Sequence, residues 1–403
     1  MPSPTPTIHR RRVFSSFIAA ALAVVACSDA ATVPTAPVAS SQAAVKFWDA
    51  GSSVSWNKTA RDLIAARGVG TPPAQARILT YVSVAQYNAI VAAENPKNAK
   101  QRASSAAAAG AASVVVLKMF FPSAADAALL EGKLAEQSSA AGWPGEQNTD
   151  FSAGEAIGRA IGAQVVAHAA TDNFNLATIP DNPGGPGSWT GVNPLKGGYG
   201  TRTIALESGD QFRPGPPPGI ETEAFKSALA EVRALSDGIT PAQQIIVTDW
   251  APRGPADMNR RASDMIVSHH RTERDAARTL ALMNIAGFDV SNACWDAKFA
   301  YYLIRPSQAD PFLTLRVGLP NHPAYPSGHS CFTAAYATVL ASEFPNETSV
   351  LDAMVVEAGE SRILGGLHYR FDCEVGRQLG RRVAAYVLST APDGRSPIPL
   401  VER

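Results

Sequence analysis

The chain has 403 residues, of which 46% are hydrophobic and 17% charged, and Lys+Arg and Asp+Glu are equal at 35 each. This balance argues against a nucleic-acid-binding protein, which needs a basic excess, and against an acidic disordered chain. The length and the apolar fraction allow a large core in one or two domains.

The N-terminus has the pattern of an export signal followed by a tether. Consecutive arginines precede the apolar run VFSSFIAAALAVVA, which is too short to span a bilayer well and ends in small residues before Cys27. The order Val-Val-Ala-Cys resembles the bacterial lipoprotein signal, in which the cysteine is lipidated, and an ordinary secretory peptide cut near Ala26 is the alternative. We predict a signal peptide over 1–27 and a flexible tether over 28–44. The protein is then exported to the bacterial cell envelope, lipid-anchored or periplasmic, with its lipidated N-terminus as the only membrane contact.

The remaining sequence indicates two helical regions joined by an irregular segment. Alanine-rich stretches such as AQARILTYVSVAQYNAIVAAE favour helix, and alternating β-branched runs are few. Glycine and proline accumulate over 173–219, which indicates a long loop. We predict an all-α fold of helical bundles packed as one unit, with an N-terminal helical region over 45–205 and a C-terminal helical core over 206–403 that carries the site.

The first chemically informative stretch is WDAKFAYYLIRP. Lys298 and Arg305 are seven residues apart, which predicts that both project from one face of a helix. Pro306 should end that helix at Arg305. Two cations on one stripe are often a solvated surface, but this helix is apolar nearly all round and is expected to be buried. Buried cations need an anion.

The second stretch, PSG, stands just before the helical run HSCFTAAYATVLASEF. Ser327 is a favoured N-cap residue, and Gly328 leaves the backbone open to close approach. Unpaired N–H groups at a helix start bind oxyanions, and His329 in the first turn points near the same place. We therefore predict that Ser327 caps the helix and that this turn also forms the floor of an oxyanion site.

The third stretch is SRILGGLHYRFD. Arg362 supplies a planar fork suited to a tetrahedral oxyanion, and the two glycines allow a tight turn. His368 and Asp372 are four residues apart and can meet if helix resumes there. A carboxylate behind a histidine fixes its tautomer and makes the other ring nitrogen a better nucleophile or ligand. Together the three stretches predict a cradle for a phosphate-like anion.

Three cysteines lie beside these stretches: Cys294, Cys331 and Cys373. In an exported protein they could form one disulfide, while the alternative is small buried core residues. There is no HExxH or Cys-x-x-Cys pattern, which makes a zinc enzyme improbable.

The three motifs together resemble those of the superfamily of type 2 phosphatidic acid phosphatases and vanadium-dependent haloperoxidases. The motifs are Lys, six residues, Arg-Pro; Pro-Ser-Gly-His; and Ser-Arg, five residues, His, with Asp four residues later. The stretch WNKTARDLIAARGVGTPPAQARILTYVSVAQYNAI also resembles the N-terminal helices of the bacterial haloperoxidase-like branch. The resemblance implies an all-α fold and an enzyme.

In the haloperoxidase branch, the resemblance implies vanadate as cofactor and hydrogen peroxide and halide as substrates, with His368 as the nitrogen ligand of vanadium. His329 acts as acid–base at the opposite apical oxygen, and Lys298 polarises the peroxide. The residues implied to hydrogen-bond the vanadate oxygens are Lys298, Arg305, Ser327, Gly328 and Arg362. The phosphatase branch instead implies that His368 attacks the phosphorus of a phosphate ester, Asp372 orients it, and His329 protonates the leaving oxygen.

Several details favour the haloperoxidase branch. HYRFD resembles the third motif of that branch, and the chain has an additional helical half that small phosphatases lack. Trp295 matches an aromatic residue near the halide site. His322 stands where haloperoxidases carry a residue tied to halide preference, and a histidine there resembles bromoperoxidases, although a hydrated loop histidine is the alternative. We expect oxidation of bromide or iodide. The organic acceptor and the oligomeric state do not follow from the sequence.

Overall fold

Helices form the regular structure of the part of the chain that the computed structural model describes, which is Met1 and residues 51–390 without 96–97, 99–101, 140–145 and 147. Within these ranges there is no strand, only two isolated β-bridges. The predicted all-α fold is therefore confirmed. The predicted signal peptide beyond Met1, its Cys27 and the tether lie outside the described residues.

The first group of helices packs tightly because small residues line the helix contacts. Its members are α1 (Ser52–Ala66), α2 (Pro72–Ala93), α3 (Ser105–Phe120), α4 (Ala124–Ser139) and α5 (Phe151–Ala169). Helices α3 and α5 pack against each other, and a Cβ at Gly158 would lie 2.2 Å from the carbonyl oxygen of Ala108. A larger side chain at this position would push the two helices apart.

The segment over 170–222 contains no helix, as the glycine and proline content predicted, but it is anchored firmly. The buried carboxylate of Asp289 accepts hydrogen bonds from the N–H groups of residues 204–206, over 2.7–2.9 Å. Arg213 forms an ion pair with Asp296 at 2.6 Å. Both carboxylates belong to one long helix, so this central loop is attached along that helix.

The second group of helices follows the loop: α6 (Glu223–Asp237), α7 (Pro241–Trp250), α8 (Pro255–Ser268), α9 (Glu273–Tyr301), α10 (Pro306–Ala309), α11 (Gly328–Glu343), α12 (Thr348–Leu364) and α13 (Arg370–Thr390). The 29-residue helix α9 packs against α2, α11 and α13. It is buried along nearly its whole length, as its all-round apolar pattern predicted.

The prediction that this helix ends at Arg305 is wrong. The helix ends at Tyr301, and Tyr302 adopts a left-handed conformation with φ of 47°. The chain then pairs with the central loop: Trp189 N–H donates to Tyr302 O over 2.7 Å, and Ile304 N–H donates to Gly187 O over 2.9 Å. These tertiary hydrogen bonds override the local helical pattern. Arg305 therefore precedes α10 and does not share a helical face with Lys298.

All of the described helices belong to one compact unit, Ala44–Arg403. Its main apolar core takes side chains from both predicted regions, such as Tyr81 and Leu282. The division into 45–205 and 206–403 stays a prediction. Among the described residues, no helix combines the length and the hydropathy that a membrane crossing requires.

Candidate functional site

His368 lies in the turn between α12 and α13. Gly366 has a φ of 76°, and a Cβ there would lie 2.6 Å from the side chain of Leu313, so glycine is required. His368 Nδ1 is 2.9 Å from Asp372 Oδ2, and His368 Nε2 is 3.0 Å from Arg305 Nη1. Because a guanidinium only donates, Nε2 is the acceptor, and Nδ1 carries the proton that is donated to Asp372.

The charges around this pair keep the histidine neutral. Burial, followed by the charges of Arg305 and Lys298, holds the pKa of His368 well below its usual value. Burial raises the pKa of Asp372 to about 7, although the same two cations oppose that shift. His368 therefore keeps an unprotonated Nε2, the form required of a nucleophile or a ligand. In this structure Arg305 Nη1 donates to that nitrogen over 3.0 Å, so the arginine must release it before Nε2 can bond to a ligand.

Ser327 occupies the N-cap position of α11, but its side chain does not cap the helix. The prediction of side-chain capping is thus wrong, because the hydroxyl is turned towards the thiol of Cys373 on α13. Ser327 N–H donates to Asp372 O over 2.9 Å. The buried Ser327 Oγ has no hydrogen-bond partner among the described residues. An unpaired buried hydroxyl is unfavourable, and rotation away from Cys373 would allow this oxygen to bond to a ligand.

Gly328 and His329 form the first turn of α11. A Cβ at Gly328 would make only ordinary contact with the Trp295 ring, at 3.8 Å, so packing does not require glycine there. Its missing side chain leaves access to the first N–H groups of the helix, which have no partner within it. His329 Nε2 is 3.1 Å from the carbonyl oxygen of Trp250 and therefore carries the ring proton. Burial, followed by the charge of Arg362, lowers the pKa of His329 to about 3.

Three cations are buried around this turn. Lys298 and Arg305 are fully buried, and Arg362 is 2% exposed. Within the described ranges, none of them forms an ion pair, and most of their hydrogen bonds go to backbone carbonyl oxygens. The buried carboxylate beside them, Asp372, is engaged by His368. Positive charge exceeds negative charge in this buried region, which favours a bound anion.

Lys298 is held by the turn that precedes α11. Its Nζ lies 2.9 Å from Pro323 O, 3.0 Å from Ala324 O and 2.6 Å from Pro326 O. These bonds use all the ammonium protons. Lys298 must release one carbonyl before it can donate to an anion, and in this conformation it contributes charge. Burial lowers its pKa to about 8.

The two arginines differ in their remaining donors. Arg305 donates to His322 O over 3.0 Å and to Leu367 O over 2.9 Å, besides its contacts with two histidine rings. Arg362 donates to Ser361 Oγ over 3.0 Å and to Val247 O over 3.2 Å. Its Nη1 makes no hydrogen bond to any described residue. Burial lowers the pKa of both guanidinium groups to about 10, and a nearby anion would counteract this shift.

The two residues predicted near a halide lie side by side. The ring centroids of Trp295 and His322 are 5.1 Å apart. His322 is buried and lines the cavity, and its Nδ1 is 3.0 Å from Arg305 Nη2. Burial, followed by the charges of Lys298 and Arg305, holds the pKa of His322 well below its usual value. The ring is therefore neutral.

A cavity of about 330 Å³ opens above these residues. The predicted residues that line it are Trp295, His322, Gly328, His329, Arg362 and His368. Others lie behind this wall: Lys298, Arg305, Ser327 and Asp372. Residues from all three motifs therefore meet at one place.

Sequence reasoning missed part of the cavity wall. The start of α2 contributes Pro72 and Gln75. The end of α7 contributes Trp250, the connection to α8 contributes Arg253, and α8 contributes Met258. No motif marks these positions, because they reach the cavity only through helix packing. The three cysteines are free and buried, which agrees with the core interpretation and not with a disulfide.

Comparison with known proteins identifies the family. A sequence model described as the PAP2 superfamily matches residues 276–395, which contain all three motifs. The chain is also 35% identical over 178 residues to a non-specific acid phosphatase of Salmonella typhi, a match that spans 42% of this chain and 70% of that protein. The chain belongs to the PAP2 superfamily. This PAP2 protein is therefore an enzyme of a superfamily whose members are haloperoxidases or phosphatases, as the resemblance implied.

Solved structures share the fold of this PAP2 protein over most of its length. The first bacterial vanadium-dependent iodoperoxidase matches with a TM-score of 0.70 and 23% identity, over 84% of this chain and 95% of that one. A holo-type bacterial vanadium-dependent chloroperoxidase matches with a TM-score of 0.63 and 13% identity, over 79% and 92% of the two chains. These likenesses show the haloperoxidase fold.

Proposed function

We propose that this protein is a vanadate-dependent haloperoxidase that oxidises bromide or iodide with hydrogen peroxide. The observation that carries the proposal is the extent of the structural likeness. The fold likeness to the iodoperoxidase structure covers 84% of the chain, whereas the sequence match to the acid phosphatase covers 42% of it. Residues 276–395, which carry the three motifs, are far fewer than this share of the chain. The likeness therefore extends well beyond the motif region.

The donor set of the site fits vanadate. Among the described residues, no group of three or more His, Cys, Asp or Glu side chains could hold a metal ion by itself, but a tetrahedral oxyanion needs cations, N–H groups and one nitrogen instead. His368 Nε2 supplies the nitrogen, and the unpaired Ser327 Oγ is a further donor. The residues that would hold the oxygens are Lys298, Arg305, Ser327, Gly328 and Arg362. When bound, vanadate would act as a Lewis acid that activates hydrogen peroxide towards halide.

The residues around the site determine which ring nitrogens of His368 and His329 carry protons. Asp372 holds the proton of His368 on Nδ1 over 2.9 Å and so keeps Nε2 unprotonated. His329 is neutral in this structure, because burial and Arg362 lower its pKa. An anion beside it would raise that pKa and allow it to take up a proton from one oxygen and return it to another. Trp295 and His322 form the adjoining wall, where we place the halide.

A phosphatase is the second candidate, and the 35% identity to a non-specific acid phosphatase favours it. In this case His368 Nε2 attacks the phosphorus of a phosphate ester and the bond to the leaving oxygen breaks. His329 delivers the proton to that oxygen, and water then hydrolyses the phosphohistidine. The same lone pair, cations and helix start serve both reactions, so the geometry of the anion site does not separate them.

The test is a paired assay on the purified protein. Bromide and iodide oxidation is measured with hydrogen peroxide and added vanadate, and hydrolysis of a phosphate ester is measured without vanadate. We expect halide oxidation that falls on chelation and returns with vanadate, with weak hydrolysis by the vanadate-free protein. A denaturing quench with alkaline work-up tests for phosphohistidine. Fast hydrolysis with a trapped phosphohistidine and no halide oxidation at any vanadate concentration would reverse the ranking.

Two histidine variants control this assay. His368→Ala should abolish either activity, because both reactions need its Nε2. His269→Ala removes a histidine that pairs with Glu347 on the surface, 3.2 Å away, and should leave both activities unchanged. Equal losses in the two variants would show that the effect does not arise at the proposed site.

A further inference from the structure

The cavity is larger than small inorganic reactants require. A tetrahedral oxyanion and a halide together have roughly the size of five water molecules, or about 150 Å³, since one water accounts for about 30 Å³ of liquid. The cavity measures about 330 Å³. More than half of it therefore remains when these ions are placed. An apolar cavity of about 150 Å³ is sufficient to hold benzene.

Aromatic and aliphatic side chains supply much of the cavity lining, beside polar ones such as Gln75, Arg253 and Asp257. Trp250, Trp295 and Phe332 line the cavity and are 2%, 2% and 5% exposed, and Met258 and Leu195 complete this wall. The rings of Trp295 and Phe332 are tilted by 59° with centroids 6.4 Å apart. The two rings contact each other and form one aromatic surface, and a third ring packed against that surface gains edge-to-face contacts in addition to apolar burial. This part of the cavity wall therefore suits a flat aromatic group.

This wall is held in place before any ligand binds. Asn321 Nδ2 donates to Val192 O over 3.1 Å and to Asn193 O over 2.9 Å, and Leu195 N–H donates to Asn321 O over 2.8 Å. Trp295 Nε1 donates to Leu195 O over 2.9 Å. These bonds attach the central loop to Asn321 and to Trp295, both of which line the cavity. A preformed wall reduces the entropy lost on binding.

We infer that this cavity binds a single-ring aromatic group directly beside the oxyanion site. The inference rests on the proposed function in placing an oxyanion on the cavity floor, and it adds the class of organic molecule held above it. The aryl group is either a free aromatic compound that meets the oxidised halide or the aryl part of a phosphate ester. Both share one requirement, an aromatic ring against Trp250, Trp295 and Phe332.

The test is calorimetric binding, which needs no catalytic turnover. Phenol is titrated into protein saturated with inorganic phosphate, and phenyl phosphate and inorganic phosphate are titrated separately into the ligand-free protein. Saturable phenol binding supports a free aromatic compound. Phenyl phosphate that binds at least tenfold more tightly than inorganic phosphate supports the aryl ester. Absence of both effects overturns the inference.

Three leucine variants localise the aryl site. Leu195→Trp inserts an indole into the cavity wall and should weaken aryl binding at least tenfold, while Leu195→Ala removes apolar contact and should weaken it about threefold. Leu176→Trp is the matched control, because Leu176 belongs to the same loop, is 74% exposed and does not line the cavity. Equal affinity in all three variants, or equal weakening in all three, overturns the inference.

The two proposals can fail separately. Aryl binding that responds to Leu195 variants, in a protein that does not oxidise halide, defeats the haloperoxidase proposal and supports the aryl site. Halide oxidation in a protein that binds neither phenol nor the aryl group of phenyl phosphate defeats the aryl site and leaves the proposed function in place.

Discussion

Substitution of Arg362 by alanine tests the anion site most directly. The guanidinium is 2% exposed, lines the cavity and has a free Nη1, while its other nitrogens bond only to Ser361 Oγ and Val247 O. Removal of one partner from a buried charged hydrogen bond commonly costs about 2–5 kcal/mol. At 1.4 kcal/mol per tenfold change, this corresponds to an affinity for phosphate or vanadate that is weaker by roughly thirtyfold or more.

The assay is isothermal calorimetry with inorganic phosphate and, separately, vanadate. Arg362→Lys retains a charge without the planar fork and should lose less affinity than Arg362→Ala. Arg381→Ala is the matched control, since Arg381 is 52% exposed and pairs with Asp352. A folded Arg362→Ala protein with unchanged anion affinity would refute the convergence of the three buried cations on one ligand.

Three other predictions follow from the same geometry and from the N-terminal sequence. His329→Ala should slow the native reaction by about 10²–10⁴-fold, the usual value of general acid–base help, and a steady-state rate within threefold of the unchanged protein would contradict its role. Because burial lowers the pKa of Lys298 to about 8, the ammonium loses its proton as pH rises through that value. Phosphate affinity should therefore fall above about pH 8, and Lys298→Arg, which stays charged, should remove this dependence in calorimetry. We also propose that the protein is a lipid-anchored envelope protein, so Cys27→Ser should release it from membranes or block its processing; an unmodified mature N-terminus by mass spectrometry would show that proposal to be wrong.

Local sequence was enough to predict the all-α fold class and to select the residues that we propose for the site. Alanine-rich stretches determine helices because helix propensity and apolar spacing are local properties. The distance from His368 to Asp372 also followed from local structure, since helix resumes at Arg370 and the two side chains meet at 2.9 Å. The glycine pair before them indicated the reversal at Gly366 for the same reason.

Predictions that depended on distant partners were less successful. A regular helix through Arg305 is locally favourable, but hydrogen bonds from Trp189 and to Gly187 end the helix at Tyr301. Ser327 has the right residue type for a cap, but its hydroxyl is turned towards α13 and lacks a partner. In each case the outcome depends on a segment far away in the chain, about which local propensity contains no information.

By itself the sequence determined the all-α class, the three motifs and the set of charged residues that we propose as an anion site. Only the tertiary structure decided how the charges are held. Lys298 lies against three carbonyl oxygens and Arg305 contacts two histidine rings. Arg362 lines the cavity, and its Nη1 bonds to no described residue. The tertiary structure also decided the apolar wall, whose side chains come from α7, α8, α9, α11 and the central loop. The physical reason is that charge and helix propensity belong to single residues and short segments, whereas burial, hydrogen-bond partners and cavity shape arise only when distant segments pack together.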